Sequence, residues 1–136
     1  MFVCIDDLMC YIDSYGKAYF NIHNYDIKYA HELAVKLYIN EWARLPFDVR
    51  NDYDYEIPAD MNKDEWILLP KLDIDSVKKS YIQLHREVFK KKGMPLGEFH
   101  IKLYDYDMYD DWTSFLDSQL RILAERFCEE NNIAYK

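Results

Sequence analysis

Carboxylates and phenols interleaved at close spacing are the most chemically suggestive pattern in this chain. They occur twice, as Asp52-Tyr53-Asp54-Tyr55-Glu56 and as Tyr104-Asp105-Tyr106-Asp107-Met108-Tyr109-Asp110-Asp111. Such runs can ligate a hard cation, supply a general acid and base, or build an anionic surface stiffened by aromatic bodies. The cation reading fails on position. Counted from Asp105, a calcium loop needs a turn glycine sixth and a bidentate glutamate twelfth, and the chain has Asp110 and Leu116 there. Acids are too abundant for any one pair to stand out as an acid–base couple. The recognition surface is the sharpest reading that survives, against a plainer one in which the same side chains are only solvated. Asp52, Tyr53, Asp54, Tyr55, Glu56, Asp105, Asp107, Asp110 and Asp111 are its candidate contact residues. Carboxylates held beside phenols can imitate a phosphate backbone and compete for a nucleic-acid-binding groove.

Other catalytic chemistry finds little support. His23, His31, His85 and His100 show neither paired helical spacing nor a Cys-x-x-Cys companion, so no zinc site is expected. No Gly-x-Ser-x-Gly is present, and three glycines do not make a phosphate loop. Cys10 and Cys128 fall on apolar helical faces, where a thiol acts as a small hydrophobe. His85 reads as a core histidine. No metal, cofactor or catalytic residue is expected.

A second surface feature is basic: Lys78, Lys79, Arg86, Lys90, Lys91 and Lys92. A solvated helix face compensating the helix dipole is the favoured reading. Docking of an acidic partner or a nucleic-acid backbone is the functional one. Overall the net charge is −8 and unevenly spread, with a net of −6 over 48–75, +5 over 76–102 and −5 over 103–136. Direct nucleic-acid binding by the whole molecule is therefore not expected.

The elements that would position these groups are mostly helices. Half of the 136 residues are hydrophobic and only 3 Gly and 4 Pro interrupt them, so one compact domain over residues 1–136 is expected. A short helix with Asp6 or Asp7 as its cap comes first, then a strand over 17–22. Asn24 would cap a second helix with Ile27, Ala30, Leu33, Ala34, Leu37, Tyr38, Trp42 and Leu45 inward, stopped by Pro46. The segment 47–65 lacks periodicity. Trp66–Pro70 reads as a strand able to pair with 17–22. Asp73 or Asp75 caps a third helix, with Val77, Tyr81, Leu84, His85, Val88 and Phe89 inward and Lys78 outward, ended by Gly93 and Pro95. A fourth helix spans 96–105 with Leu96, Phe99, Leu103 and Tyr106 inward. The last runs from about Asp110 to Glu130, with Asn131 or Asn132 adopting a left-handed end. The sum is a helix-rich α+β fold with one small antiparallel sheet.

No apolar run reaches the ~18 residues a transmembrane helix needs. The start, Met1-Phe2-Val3-Cys4-Ile5-Asp6-Asp7, lacks a signal-peptide pattern. Three scattered cysteines suit reduced thiols and a cytoplasmic location.

The C-terminal half carries a family resemblance. Leu68-Leu69-Pro70, Asp73-Ile74-Asp75, Phe99 with Lys102-Leu103-Tyr104, Asp111-Trp112 with Phe115 and Asp117, and Ala124-Glu125-Arg126-Phe127-Cys128-Glu129-Glu130-Asn131-Asn132-Ile133 resemble uncharacterised protein family 0158. The opening Ile5-Asp6-Asp7-Leu8 and the strand at 17–21 are similar too. Coverage is best over 66–133. The chain departs from the family at Lys92-Gly93-Met94-Pro95, where a Gly-Arg-Gly turn with basic residues is common, and at Thr113, where an aromatic is usual. The resemblance implies a small acidic protein of bacterial or phage origin, one α+β domain, and no catalytic residue to carry over.

These readings converge on a non-enzymatic, acidic, tyrosine-rich interaction module that binds a basic protein surface. One concrete version is a nucleic-acid-mimicking inhibitor of a host defence protein of the CRISPR type. The alternatives are a nucleic-acid or nucleotide binder using the Lys-rich helix 75–92, and a small enzyme whose site is assembled across elements.

Overall fold

A computed structural model describes residues 1–14, 16–37, 43, 44, 46, 65–91 and 93–136, with 34–37 described as backbone only. The fold is α+β: its described elements are α1 (Ile5–Asp13), β1 (Ala18–Asn21), β2 (Ile27–Tyr29), α2 (Ala30–Leu37), β3 (Trp66–Leu68), α3 (Ile74–Leu84), α4 (Leu96–Asp105) and α5 (Tyr109–Glu130). The three strands form one antiparallel sheet in the order β2-β1-β3. Contacts group these residues into two compact units. The first comprises 1–71 and 124–136, the second 72–123.

The first unit is built around β1. Ala18 and Phe20 are fully buried, and β1 pairs Tyr19 with Lys28 on one side and with Leu68 on the other. The pairing of Trp66–Leu68 with the 17–22 strand is as the sequence suggests. The second helix is present, with Ala30 and Leu33 buried as expected, but it begins later. Ile27 was expected on its inner face and instead lies in β2, while Asn24 sits in the hairpin turn rather than at a helix cap. The buried side chain of Asn21 explains this. Its Oδ1 accepts from the backbone N–H groups of His23 (2.8 Å) and Asn24 (3.1 Å), and Tyr25 takes φ +61°. A turn held by one asparagine then folds 27–29 back on β1. The later part of the expected second helix, with Tyr38, Trp42 and Leu45, lies outside the described residues, as does the segment 47–64.

Helix α1 starts two to three residues earlier than expected. Cys4 is its N-cap, without a side-chain bond, and Asp6 and Asp7 occupy the first turn, where a carboxylate complements the dipole. Its buried stripe is Ile5, Leu8, Met9 and Ile12, so Cys10 falls on the opposite side and is exposed, contrary to the apolar-face expectation. The chain ends meet beside this helix. Val3 and Tyr135 form a parallel bridge, with N–H donation from Val3 to Ala134 C=O (2.9 Å) and from Ile5 to Lys136 C=O (3.0 Å).

The second unit is an aromatic cluster wrapped by helices. Tyr81, Phe89, Phe99 and Trp112 are each at most 2% exposed, and Tyr81 meets Phe89, Phe99 and Trp112 edge-on at centroid distances of 6.0, 5.9 and 5.2 Å. Edge-to-face rings gain electrostatically beyond their burial. Asp73 caps α3 as expected, accepting from Asp75 N–H and Ser76 N–H. The helix stops at Leu84, short of the expected 92. His85 caps it, and the His85 carbonyl takes the N–H groups of Val88 and Phe89, which swings Phe89 into the cluster without further helix. Leu84, expected inward, is exposed at this last helical position, and Leu96 and Tyr106 are exposed at the two ends of α4. Asn132, at φ +55°, takes the left-handed conformation anticipated for the end of α5, whereas Gly93, at φ +70°, turns the chain well past the early stop of α3 rather than ending the helix as expected.

Candidate functional site

The second acid–tyrosine run folds into the corner between α4 and α5. The end of α4 is a left-handed cap: Asp107 has φ +54°, its N–H reaches Tyr104 C=O (3.2 Å), and Met108 N–H reaches Leu103 C=O (2.8 Å). Buried Leu103 and half-buried Met108 belong to the same apolar cluster, the contact that commonly accompanies such a cap. An aspartate tolerates the left-handed region better than most side chains, so the acid at 107 serves the turn as well as the surface. Met108 C=O accepts from Trp112 N–H, which opens α5 and places Asp110 and Asp111 in its first turn, at the positive pole.

Asp105, Asp107, Asp110 and Asp111 all face solvent here. The phenols beside them are exposed as well: Tyr104 at 67%, Tyr106 at 52% and Tyr109 at 38%. Tyr104 and Tyr109 stack across the turn, 4.9 Å apart and 10° from parallel. Lys102 Nζ lies 5.8 Å above the Tyr106 ring, so one of these rings already receives a cation on its face. Asp111 has a second task. Its Oδ2 accepts from the hydroxyl of buried Tyr81 at 2.7 Å. Burial, then that bond and the carboxylate charge, hold the Tyr81 phenol well above its ordinary value. The corner is thus pinned to the cluster beneath it.

Four of the nine candidate contact residues are therefore brought together: Asp105, Asp107, Asp110 and Asp111. The five from 52–56 lie outside the described residues. The sequence reading did not name Tyr104, Tyr106 and Tyr109 among its candidate residues, although the interleaving that drew attention to the run is what carries them.

The basic patch fares differently. Lys78, expected outward, is only 5% exposed. Its ammonium donates to Met94 C=O at 2.6 Å and pairs with Asp75 at 3.0 Å. Lys79 pairs with Asp75 (3.0 Å) and Lys91 with Glu98 (3.3 Å). The two lysine contacts lower the Asp75 carboxyl pKa. These charges are spent largely within the unit. Arg86 and Lys90 are exposed, and Lys92 lies outside the described residues.

His85 is not deep core. It is about one-third exposed and faces the Tyr81 ring at 4.5 Å, with Nε2 3.6 Å from Asp111 Oδ2. That separation exceeds a hydrogen bond, and the oxygen is already taken by Tyr81. The imidazole is not oriented as a general base there. Cys128 is buried as expected, its thiol pushed up to about 11 by burial and then by the charges of Glu129 and Glu125. No group of three or more His, Cys, Asp or Glu side chains suited to a metal ion occurs among the described residues. Nor is any helix among them long and apolar enough to cross a membrane.

No family model, no curated protein and no solved structure matches this chain. The resemblance over 66–133 accordingly assigns no role to any of these residues.

Proposed function

We propose that this protein is a non-enzymatic interaction module that binds a basic protein surface through its acid–tyrosine corner. What supports this reading most directly is the exposed Tyr104–Tyr109 stack, set among four solvent-facing carboxylates on a turn fixed by Asp107. Large exposed aromatics beside acids give a partner both contact area and charge steering, at little cost in side-chain ordering. The internal pairing of Lys78, Lys79 and Lys91 argues against the lysine-rich helix as the main contact surface. Competition with nucleic acid for a host protein's groove is the specific form of this proposal.

The test is quantitative pull-down of partners from host extract by the tagged chain, over a salt series. Recovery should fall steeply with added salt, because exposed charges are screened within a Debye length of about 8–10 Å. It should fall further for the triple change Asp105→Asn, Asp107→Asn, Asp110→Asn, which spares Asp111 and its bond to Tyr81. Neutralising the seven acids among the nine candidate positions with no loss of recovery would refute the proposal.

A further inference from the structure

The first unit carries an open cleft of about 770 Å3 that the proposed interaction does not use. Its size falls within the roughly 300–1,000 Å3 of small-molecule sites. The C-terminal end of α1 contributes Cys10 and Asp13; the β2–α2 junction contributes Tyr29, His31 and Glu32; Ser14 and Gly16 complete the described lining. No lysine or arginine lines it among the described residues.

Three independent observations give the cleft a preference. First, α1 points its negative pole at this end, and its last turn carries Asp13 and no basic residue. That pole already draws one cation: the Lys71 ammonium takes the carbonyls of Ser14, which lines the cleft (2.8 Å), and Tyr11 (3.2 Å). Second, the wall is aromatic. Tyr29 and His31 lie 11° from parallel at 6.0 Å, and Tyr11 packs on Tyr29 at 5.2 Å. Third, the charged side chains in the described lining are both acidic: Asp13 from one wall and Glu32 from the other.

We propose that this cleft binds a small, flat organic cation, its π-system against Tyr29 and His31 and its charge toward Asp13 and Glu32. A planar cation satisfies the ring faces and the carboxylates at once. A neutral isostere satisfies only the rings, and an anion is repelled.

Benzamidine, benzamide and benzoate share one shape and differ in charge, so they form the test set. Each is titrated into the 15N-labelled full chain, with amide shifts as the readout. Benzamidine should move the amides of Asp13, Gly16, Tyr29, His31 and Glu32 as a group. Benzamide should bind about tenfold more weakly, the loss of one well-placed charge contact. Glu32→Gln keeps an oxygen for the Tyr29 N–H, which now reaches Glu32 Oε1 at 3.4 Å, so the fold has its acceptor. That variant should lose most of the preference for benzamidine over benzamide, and Tyr29→Leu should weaken both ligands. Equal binding of all three probes, shifts that avoid the cleft, no shifts at millimolar probe, or a Glu32→Gln variant with unchanged charge preference would each overturn the proposal.

Discussion

Each of the two compact units is held together internally by different means. The first depends on partners far apart in sequence: β1 pairs with β3 across more than forty residues, and the chain ends bond to each other. The second is assembled from neighbours, with three helical segments closing over one cluster within 72–123. Rings packed edge to face fill the second, whereas the first buries mostly aliphatic side chains around Phe20 and adds a turn held by the hydrogen bonds of one asparagine. Substitutions of the two kinds should therefore have unequal effects.

The largest is expected from Phe99→Ala. This ring is fully buried between Tyr81, Phe89 and Trp112, and its removal should cost about 3–5 kcal/mol in urea unfolding, with loss of near-UV aromatic signal. A loss under about 1 kcal/mol would mean that the cluster is not what holds the unit. In the first unit the sharpest probe is Asn21→Ala. It strips two backbone N–H groups of their acceptor and should cost about 1–3 kcal/mol. Asn21→Asp keeps the acceptor and should cost less.

How far these features were legible in the sequence follows the same division. The cap at Asp73, the span of α4 and the left-handed Asn132 are written in local chemistry, and a reader of residues can find them. The hairpin at 21–29 is not, because its turn lacks the usual glycine and Ile27, Ala30 and Leu33 happen to fall at helical spacing. The burial of Lys78 was equally hidden, since its acceptor, the Met94 carbonyl, lies 16 residues on. At the corner, residue types alone marked Asp105 through Asp111. The Tyr104–Tyr109 stack was out of reach, because it exists only once Asp107 turns left-handed.

A smaller effect separates the units by pH. The Asp73 carboxyl pKa is lowered by its bonds to Ser76 and Asp75, and that of Asp75 by Lys79 and Lys78. A depressed folded pKa stabilises above the unfolded value of 3.8 and is lost as pH falls through the folded one. Melting temperature should therefore drop in that acid window, and less so in an Asp73→Asn, Asp75→Asn variant. An identical pH profile would remove these carboxylates from the account.

The mildest probe leaves the fold intact. Cys4 and Cys10 are exposed, whereas Cys128 is buried with its thiol near 11. Two thiols should react quickly with a disulfide reagent at pH 8 and the third only in denaturant. Three fast thiols would show that the end of α5 opens readily.

The bridge between Val3 and Tyr135 makes the termini mutually dependent. Trimming residues 134–136 would strip the Val3 and Ile5 amides of their acceptors just where α1 begins, so damage at one extremity is felt at the other.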